Sequence, residues 1–409
     1  MNDPVRVAEF SKGFAGSVET PCAAVDNTPP GLLRLFASFL RLGITAFGGP
    51  AMVAYVRKMA VGRKKWIDQE SFQDGIALCQ TIPGATVMQL AAYVGLKVRG
   101  VRGAAVSFVG FGLPAFLLML GLSISYGHMH TLPTVISVFR GLQAVIVAVV
   151  ANATVSFGKS SLKNWKSVLI AVVAAGLFGL MANPVLIIAL AAFFGILLNG
   201  RQPVPRSAPH AGTMRSTTIP LLLLVLASVG CLSLLYFYEK QLSSLALLMS
   251  KIDILAFGGA FASVPLMFHE IVEVRSWMDA STLLNGIVLG QFTPGPIVMT
   301  ATFVGYLVHG ILGAVIATIA IFLPSFLILI GIAPWFDRVR SSPWFSRAIL
   351  GIVCSFVGLL FTVTIRFALN VQWDWPHIVL GVAAFTALLL KVDILWVVLA
   401  GTAISAFVL

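Results

Sequence analysis

Long apolar runs, separated by short polar segments, account for most of the chain. A membrane-spanning helix needs about 20 apolar residues, because the hydrocarbon core is about 30 Å thick and a helix rises about 1.5 Å per residue. Several windows without any charged side chain reach or approach this length: 103–126, 141–158, 167–199, 216–238, 310–336, 348–365, 375–390 and 394–409. The pattern therefore predicts an all-α polytopic membrane protein, since a helix satisfies its backbone hydrogen bonds internally.

Composition and charge agree with this prediction. Hydrophobic residues make up 58% of the chain and charged residues only 10%, against about 25% in soluble domains. The net charge of +12 comes from basic residues in short loops, which indicates membrane orientation rather than nucleic-acid binding. The four cysteines have neither metal-site nor disulfide spacing, so no metal or cofactor is predicted. Residues 1–31 lack the apolar segment of a signal peptide and are interpreted as a cytoplasmic tail.

The chain contains an internal repeat. The sequence AFGG at 46–49 recurs at 256–259, and QTIPG at 80–84 returns as QFTPG at 291–295. Trp66 and Trp277 fall between these motifs at matching positions, and the order is kept over roughly 160 residues. We therefore predict four segments. They are the tail 1–31, a first membrane repeat 32–200, a basic linker with an extra transmembrane helix 201–241, and a second membrane repeat 242–409.

Loop charges indicate that the two repeats are inverted. Loop 57–70 has five Lys or Arg against two acidic residues, whereas its counterpart 267–281 has one Arg against three acidic residues. The bias reverses for 127–133, which has no Lys or Arg, and 337–347, which has three Arg. Because Lys and Arg prefer the cytoplasmic side, matched loops are predicted to face opposite sides. This places the N-terminus inside and the C-terminus outside, an arrangement common in secondary transporters.

Some segments between loops are too short for two full spans. Segment 71–95 has about 25 residues between two basic loops, so we predict a re-entrant hairpin with a break at Pro83 and Gly84. The same reasoning predicts breaks at 48–50, 258–259 and 294–296. A broken helix at membrane depth is tolerated inside protein or beside a watery cavity, and its free N–H groups favour an anion. The alternative is that these glycines only allow close helix packing.

The breaks and the polar residues near them form the candidate substrate site. The glycines and prolines of the breaks are Gly48, Gly49, Pro83, Gly84, Gly258, Gly259, Pro294 and Gly295. Nearby neutral donors are Gln80, Gln89, Gln291, Thr293 and Thr300. Arg41 and Lys251 lie at matched positions in otherwise apolar helices, where a charge is costly and a functional candidate.

The charged residues also allow interpretations that do not involve the substrate. Arg41 could extend to the membrane interface, and Lys251 could pair with Asp253 two positions later. Asp74 is the only carboxylate in the first hairpin, and helix capping is favoured over proton coupling. Arg366 borders an apolar run and is interpreted as an interface anchor.

These motifs resemble those of the chromate ion transporter family in its long two-domain form. The resemblance rests on FGGP at 47–50, Trp66, QTIPGA at 80–85 and the partner motifs at 257–259 and 291–296, and it covers residues 32–409. It implies a secondary transporter that exports chromate across a bacterial-type cytoplasmic membrane and confers chromate resistance. No ATP-binding loop of the Walker type is present in the sequence, in agreement with secondary transport.

The residues alone indicate an anion transporter and leave tetrahedral dianions undistinguished. The alternatives are a carrier of sulfate or another oxyanion, an anion channel, and a membrane-embedded chromate reductase. No cofactor fingerprint, paired catalytic carboxylates or Cys–His cluster supports the reductase, so an enzyme is not predicted. The expected partners are a chromate or sulfate-like oxyanion and the lipid bilayer, without nucleic acid. The sequence is silent on oligomeric state and compatible with a homodimer.

Overall fold

Helices form all the regular structure in the described part of the chain. A computed structural model describes residues 30–47, 51–129, 132–198, 218–336, 338 and 342–408. Five of its helices are long and apolar enough to cross a membrane. The prediction of an all-α polytopic membrane protein is therefore confirmed.

The described residues of the first repeat form seven helices. The second of them continues as a π-helical turn at Lys58–Arg63, and the fourth is interrupted at Arg99 and Gly100. The helices are α1 (Leu32–Thr45), α2 (Ala51–Arg57), α3 (Gln69–Thr81), α4 (Thr86–Met129), α5 (Pro133–Ser161), α6 (Trp165–Gly179) and α7 (Pro184–Leu198).

The connecting helix α8 (Thr218–Tyr238) precedes a second series that matches the first element by element. A π-helical turn again follows the short second helix, at Phe268–Val274, and the long fourth helix is interrupted at His309 and Gly310. The helices are α9 (Lys240–Leu255), α10 (Ser263–Met267), α11 (Ala280–Phe292), α12 (Thr300–Ile332), α13 (Pro343–Asn370), α14 (Trp375–Leu389) and α15 (Ile394–Val408).

Local capping is also repeated between the two halves. The Asp68 carboxylate accepts a hydrogen bond from the N–H of Ser71 at 2.8 Å and caps α3, and Asp279 caps α11 through Thr282 at the same distance. Asp74, for which capping was the favoured interpretation, lies inside α3 instead. That interpretation was wrong because the helix begins at Gln69, earlier than Asp74 by more than one turn.

The charge-free window 167–199 does not form one span. It contains α6 and α7, each of 15 residues, and the second repeat has the equivalent pair α14 and α15. A helix of this length is about 22 Å long, less than the hydrocarbon thickness of about 30 Å. Hydropathy alone could not divide the window, because the turn between α6 and α7 carries no charge.

The two repeats pack against each other with reciprocal contacts. Helix α13 packs on α6 and α7 of the first repeat, while α5 packs on α14 and α15 of the second. The hydroxyl oxygens of Thr154 and Thr364, equivalent residues on α5 and α13, lie 3.2 Å apart. Contact between equivalent residues, together with exchanged contacts on either side, is the mark of a two-fold relation. The core therefore lies between the repeats, whereas none of the residues of α8 is buried.

Candidate functional site

Three of the four predicted breaks meet at the interface of the repeats. The N–H of Gly84, in the break between α3 and α4, donates a hydrogen bond of 2.9 Å to the carbonyl of Ala256 in the other repeat. The 3₁₀ turns Ala260–Ala262 and Ile297–Met299, which follow the two breaks of the second repeat, contact each other. The sequence analysis assigned these breaks to separate hairpins, and in the structure they are in contact. The fourth break, with Gly48 and Gly49, lies outside the described residues.

Each proline–glycine break packs against the long helix of the opposite repeat. A Cβ added at Gly84 would overlap Ser325 on α12, and one added at Gly295 would lie 2.9 Å from the Cβ of Ala115 on α4. Ser325 and Ala115 are equivalent residues, and each follows a proline inside its helix. The contacts are therefore reciprocal at the breaks as well as in the core.

The backbone at these breaks requires glycine. Gly84 has φ +109° and Gly295 has φ +132°, a region that L-residues rarely adopt. The helix that follows, α4, begins at Thr86, and a 3₁₀ turn begins at Ile297 in the other repeat. N–H groups of a first helical turn have no acceptor within their own helix, and they carry partial positive charge. Each break is thus followed by a helical turn whose first N–H groups are potential donors.

Two glutamine side chains near the breaks have unsatisfied polar atoms. Gln89 is fully buried, and its Nε2 donates to the carbonyl of Pro83, whereas its Oε1 has no partner among the described residues. The Nε2 of Gln291 is buried and likewise has no partner there. A buried polar atom without a partner costs about 1–3 kcal/mol and requires an explanation. An anion that enters this region could accept a hydrogen bond from the Nε2 of Gln291, whereas the Oε1 of Gln89 requires a donor.

The other neutral candidates differ in burial and in hydrogen bonding. Thr293 and Thr300 are buried, and their hydroxyls donate to the carbonyls of Gly290 and Ile297 at 2.9 and 2.8 Å. These hydroxyl oxygens keep acceptor capacity only, so the threonines hold the break rather than offer a donor. Gln80 lies on an exposed position of α3.

The glycines of the third break are placed close to the first repeat. Gly258 and Gly259 have φ +94° and +101°. A Cβ added at Gly259 would lie 3.6 Å from the hydroxyl oxygen of Thr86, the first residue of α4. The turn at 257–259 therefore lies directly over the N-terminus of α4.

The two matched cations have different surroundings. Arg41 lies on an exposed position of α1. Lys251 forms an ion pair with Glu270 of the π-helical turn. The alternative that Lys251 pairs with Asp253 was wrong, because residues i and i+2 of a helix do not face each other.

Asp253 is instead a buried carboxylate beside the first break. Its side chain is 2% exposed, and its Oδ2 accepts a hydrogen bond of 2.7 Å from the N–H of Ser325. Sequence reasoning considered this residue only as a partner for Lys251. An acidic residue in an apolar helix is itself a signal for a functional site, and that signal could have identified it.

A second set of charges surrounds the π-helical turn Phe268–Val274. Glu273 pairs with Arg366 of α13 and lies 2.9 Å from the Nδ1 of His269. Arg366 also donates to the carbonyl of Phe178 at 2.8 Å. The interpretation of Arg366 as an interface anchor was wrong, since its guanidinium joins the two repeats. The equivalent turn Lys58–Arg63 contains no acidic residue.

The architecture defines a polytopic membrane protein of two related halves whose broken helices meet at their interface. The sequence model described as chromate transporter matches residues 33–196 and again residues 243–406. The chain therefore belongs to the chromate transporter family, a family of membrane transporters.

Curated relatives span nearly the whole chain. An uncharacterized transporter of Methanocaldococcus jannaschii is 43% identical over 93% of this chain and 95% of its own length. Proteins described as chromate transport protein from Cupriavidus metallidurans and Pseudomonas aeruginosa are 31% and 28% identical, over 91% and 89% of this chain and 91% and 88% of their own lengths. No solved structure matches the chain.

Proposed function

We propose that this protein is a secondary transporter that exports chromate from the cytoplasm and confers chromate resistance. The observation that carries the proposal is the junction of the two repeats. There the N–H of Gly84 donates to the carbonyl of Ala256, and near the break at 294–296 of the second repeat the buried Nε2 of Gln291 has no partner among the described residues. Membership of the family, and the description of the relatives from Cupriavidus metallidurans and Pseudomonas aeruginosa as chromate transport proteins, support chromate as the substrate.

The anion is proposed to bind at this junction. Gly84 and Gly295, with Pro83 and Pro294, shape the breaks, and Gln291 offers an unpaired donor. Gln89 fixes the first break through its bond to Pro83. The Nε2 of Gln291 and the first-turn N–H groups of α4 are the donors that suit a tetrahedral oxyanion, because they replace the hydrogen bonds that the anion leaves in water.

Residues at the edge of the junction are assigned supporting roles. Gly258 and Gly259 bring the break at 258–259 over α4, while Thr293 and Thr300 hold the break at 294–296. The exposed Arg41 and Gln80, and the equivalent lysine Lys251, are proposed to attract the anion toward the breaks. Gly48 and Gly49 are proposed to complete the first repeat in the way that Gly258 and Gly259 complete the second.

The direction of transport follows from the membrane potential. Moving a dianion out of a negative interior is favoured by about 4.6 kcal/mol for each 100 mV. The loop charges support an orientation with the N-terminus inside, the repeats inverted and α8 as the odd crossing. The family resemblance supports a bacterial-type cytoplasmic membrane. Export therefore needs no ATP, and the protein is proposed to act as a carrier rather than an enzyme.

Chromate uptake into inside-out membrane vesicles tests the proposal, because uptake there corresponds to export from the cell. Saturable uptake that an imposed potential accelerates, with excess sulfate a weak competitor, is the expected result. Clear sulfate movement without chromate uptake would assign a general oxyanion carrier. Flux without saturation or counterflow would assign a channel, and loss of the hexavalent state of chromium would assign a reductase.

A further inference from the structure

Asp253 lies in the protein interior without a compensating positive charge from its own helix. It is 2% exposed, and its Oδ2 accepts a hydrogen bond of 2.7 Å from the N–H of Ser325 on α12. Lys251, the nearest cation along α9, is held by Glu270 on another side of the helix. The carboxyl group therefore depends on the neighbouring elements for any counter-charge.

The π-helical turn contacts α9 through Glu270, and Arg275 after it donates to Ser244, more than two helical turns before Asp253. The other elements that pack on α9 supply no positive charge in the described part of the chain. Helix α12 contains no Asp, Glu, Lys or Arg, and its titratable Tyr306 and His309 precede Ser325 by more than four helical turns. Helix α10 has no titratable residue, and the break at 82–85 has none either. The titratable residues of α8 are all exposed: Cys231, Tyr236 and Tyr238. A buried carboxylate without a counter-charge is strongly disfavoured and takes up a proton instead.

The same carboxyl group adjoins the junction of the breaks. Ser325, whose N–H binds Asp253, would overlap a Cβ at Gly84, and the Nε2 of Gln89 would lie 2.9 Å from that Cβ. Gln89 is the side chain whose Oε1 is buried without a partner. An ionised Asp253 would repel an anion bound there through a medium of low dielectric constant, whereas the neutral acid would not.

The first repeat has no equivalent group. Gly43 stands at the matching position on α1, and a Cβ there would overlap the carbonyl oxygen of Phe111. No larger side chain fits this position without a shift of α4. The molecule therefore has this carboxyl group in the second repeat and close packing in the first.

We propose that Asp253 is a proton-binding site coupled to the anion site, so that the anion binds together with one proton. The inference rests on the proposed function, which places the anion at the breaks. Binding of the proton removes the negative charge beside the anion, so each ligand raises the affinity for the other by the same factor. The transported species is then the dianion plus one proton, and the net charge moved falls from two to one.

Calorimetry on the purified full-length protein tests the coupling. Chromate is titrated at several pH values on either side of neutrality, in two buffers of different ionisation enthalpy, to obtain affinity and proton uptake together. We expect the affinity of the unmodified protein to fall as pH rises, by up to about tenfold per pH unit for one coupled proton. Asp253→Asn should bind chromate with a smaller slope and take up one proton fewer.

Comparison with Asp253→Asn also removes the contribution of the protonation of chromate itself. Chromate itself exchanges a proton near neutral pH, and the difference between the unmodified protein and Asp253→Asn removes this contribution. Asp393→Asn is the matched control, because Asp393 is exposed and its Oδ1 accepts a bond from the N–H of Leu395, which asparagine can replace. This control should keep the full pH slope.

Infrared spectroscopy of the unmodified protein keeps the inference testable if Asp253→Asn does not fold. At mildly basic pH, chromate binding should produce one additional band of a protonated carboxyl group. Absence of that band, or equal proton uptake by Asp253→Asn and the unmodified protein, would overturn the inference.

Two further outcomes separate this inference from the proposed function. An affinity that depends on sodium in place of pH, and loses that dependence in Asp253→Asn, would overturn the proton assignment in favour of a metal cation. Chromate binding without proton uptake by the protein would overturn the coupling and leave the transporter intact. No chromate or sulfate binding by the unmodified protein would overturn both.

Discussion

Helices α1 and α9 occupy equivalent places in the two repeats but present different side chains to the core. On α1, Gly43 allows the carbonyl of Phe111 to approach until no Cβ would fit. On α9, the matching Asp253 reaches Ser325 on α12. Backbone features, namely the proline–glycine breaks, caps and interruptions, are repeated in both halves. Among the described residues, the buried carboxyl groups belong to the second half. Duplication thus supplied the framework twice, and the chemistry differs between the halves.

The largest expected effect comes from the breaks that both repeats share. Gly84→Leu and Gly295→Leu should each abolish chromate uptake into inside-out vesicles, because a positive φ costs a non-glycine residue about 1–3 kcal/mol and the new side chain overlaps the opposite repeat. Gly230→Leu on α8 is the control, since nothing lies within 4 Å of its Cβ position. Normal kinetics in both break variants, with normal insertion, would contradict the proposed site.

The ion pair present only in the second repeat gives the next effect. Lys251→Ala leaves the buried Glu270 with the more distant Arg275, whose Nε lies 3.9 Å from the carboxylate, so we expect a loss of about 1–3 kcal/mol in stability. Thermal unfolding of the purified protein measures it. Lys251→Ala with Glu270→Gln should recover most of the loss; equal stability of the single variant and the unmodified protein would argue against the pair.

Close packing at Gly43 should produce a smaller change. Gly43→Ala forces a methyl group against the carbonyl of Phe111, and overpacking of this kind costs about 1–3 kcal/mol, less where α4 can shift. Gly121→Ala on α4, the helix that Gly43 contacts, is the control, because nothing lies within 4 Å of the Cβ position of Gly121. Identical unfolding temperatures for the two variants would show that the first repeat has room for a side chain at this position.

The exposed cation of the first repeat gives the smallest effect. Arg41→Ala should raise the KM for chromate by up to about tenfold at low ionic strength and leave membrane insertion unchanged, because an exposed charge acts through long-range attraction. Added salt should reduce the difference in KM between Arg41→Ala and the unmodified protein. Arg41→Lys, which keeps the positive charge, should have the KM of the unmodified protein. Full activity of Arg41→Ala at low salt would remove Arg41 from the anion path.

The sequence by itself determined the helical class, the duplication and the positions of the three breaks that lie within the described residues. Long apolar runs form helices in lipid, and a proline followed by glycine interrupts a helix. Both features are therefore decided by residues that are adjacent in the sequence. Because the motifs match, a break predicted in one repeat could also be predicted at the equivalent position of the other. The break at Pro83 and Gly84 could be located in this way before any contact was known.

Only the tertiary structure decided which groups meet. Asp253 and Ser325 are 72 residues apart, Glu273 and Arg366 are 93 apart, and Gly84 reaches Ala256 across the repeats. A charge in an apolar helix shows that a partner is needed, but the partner is chosen by helix packing. That packing depends on the shapes of facing surfaces from distant segments, which no local pattern along the chain records.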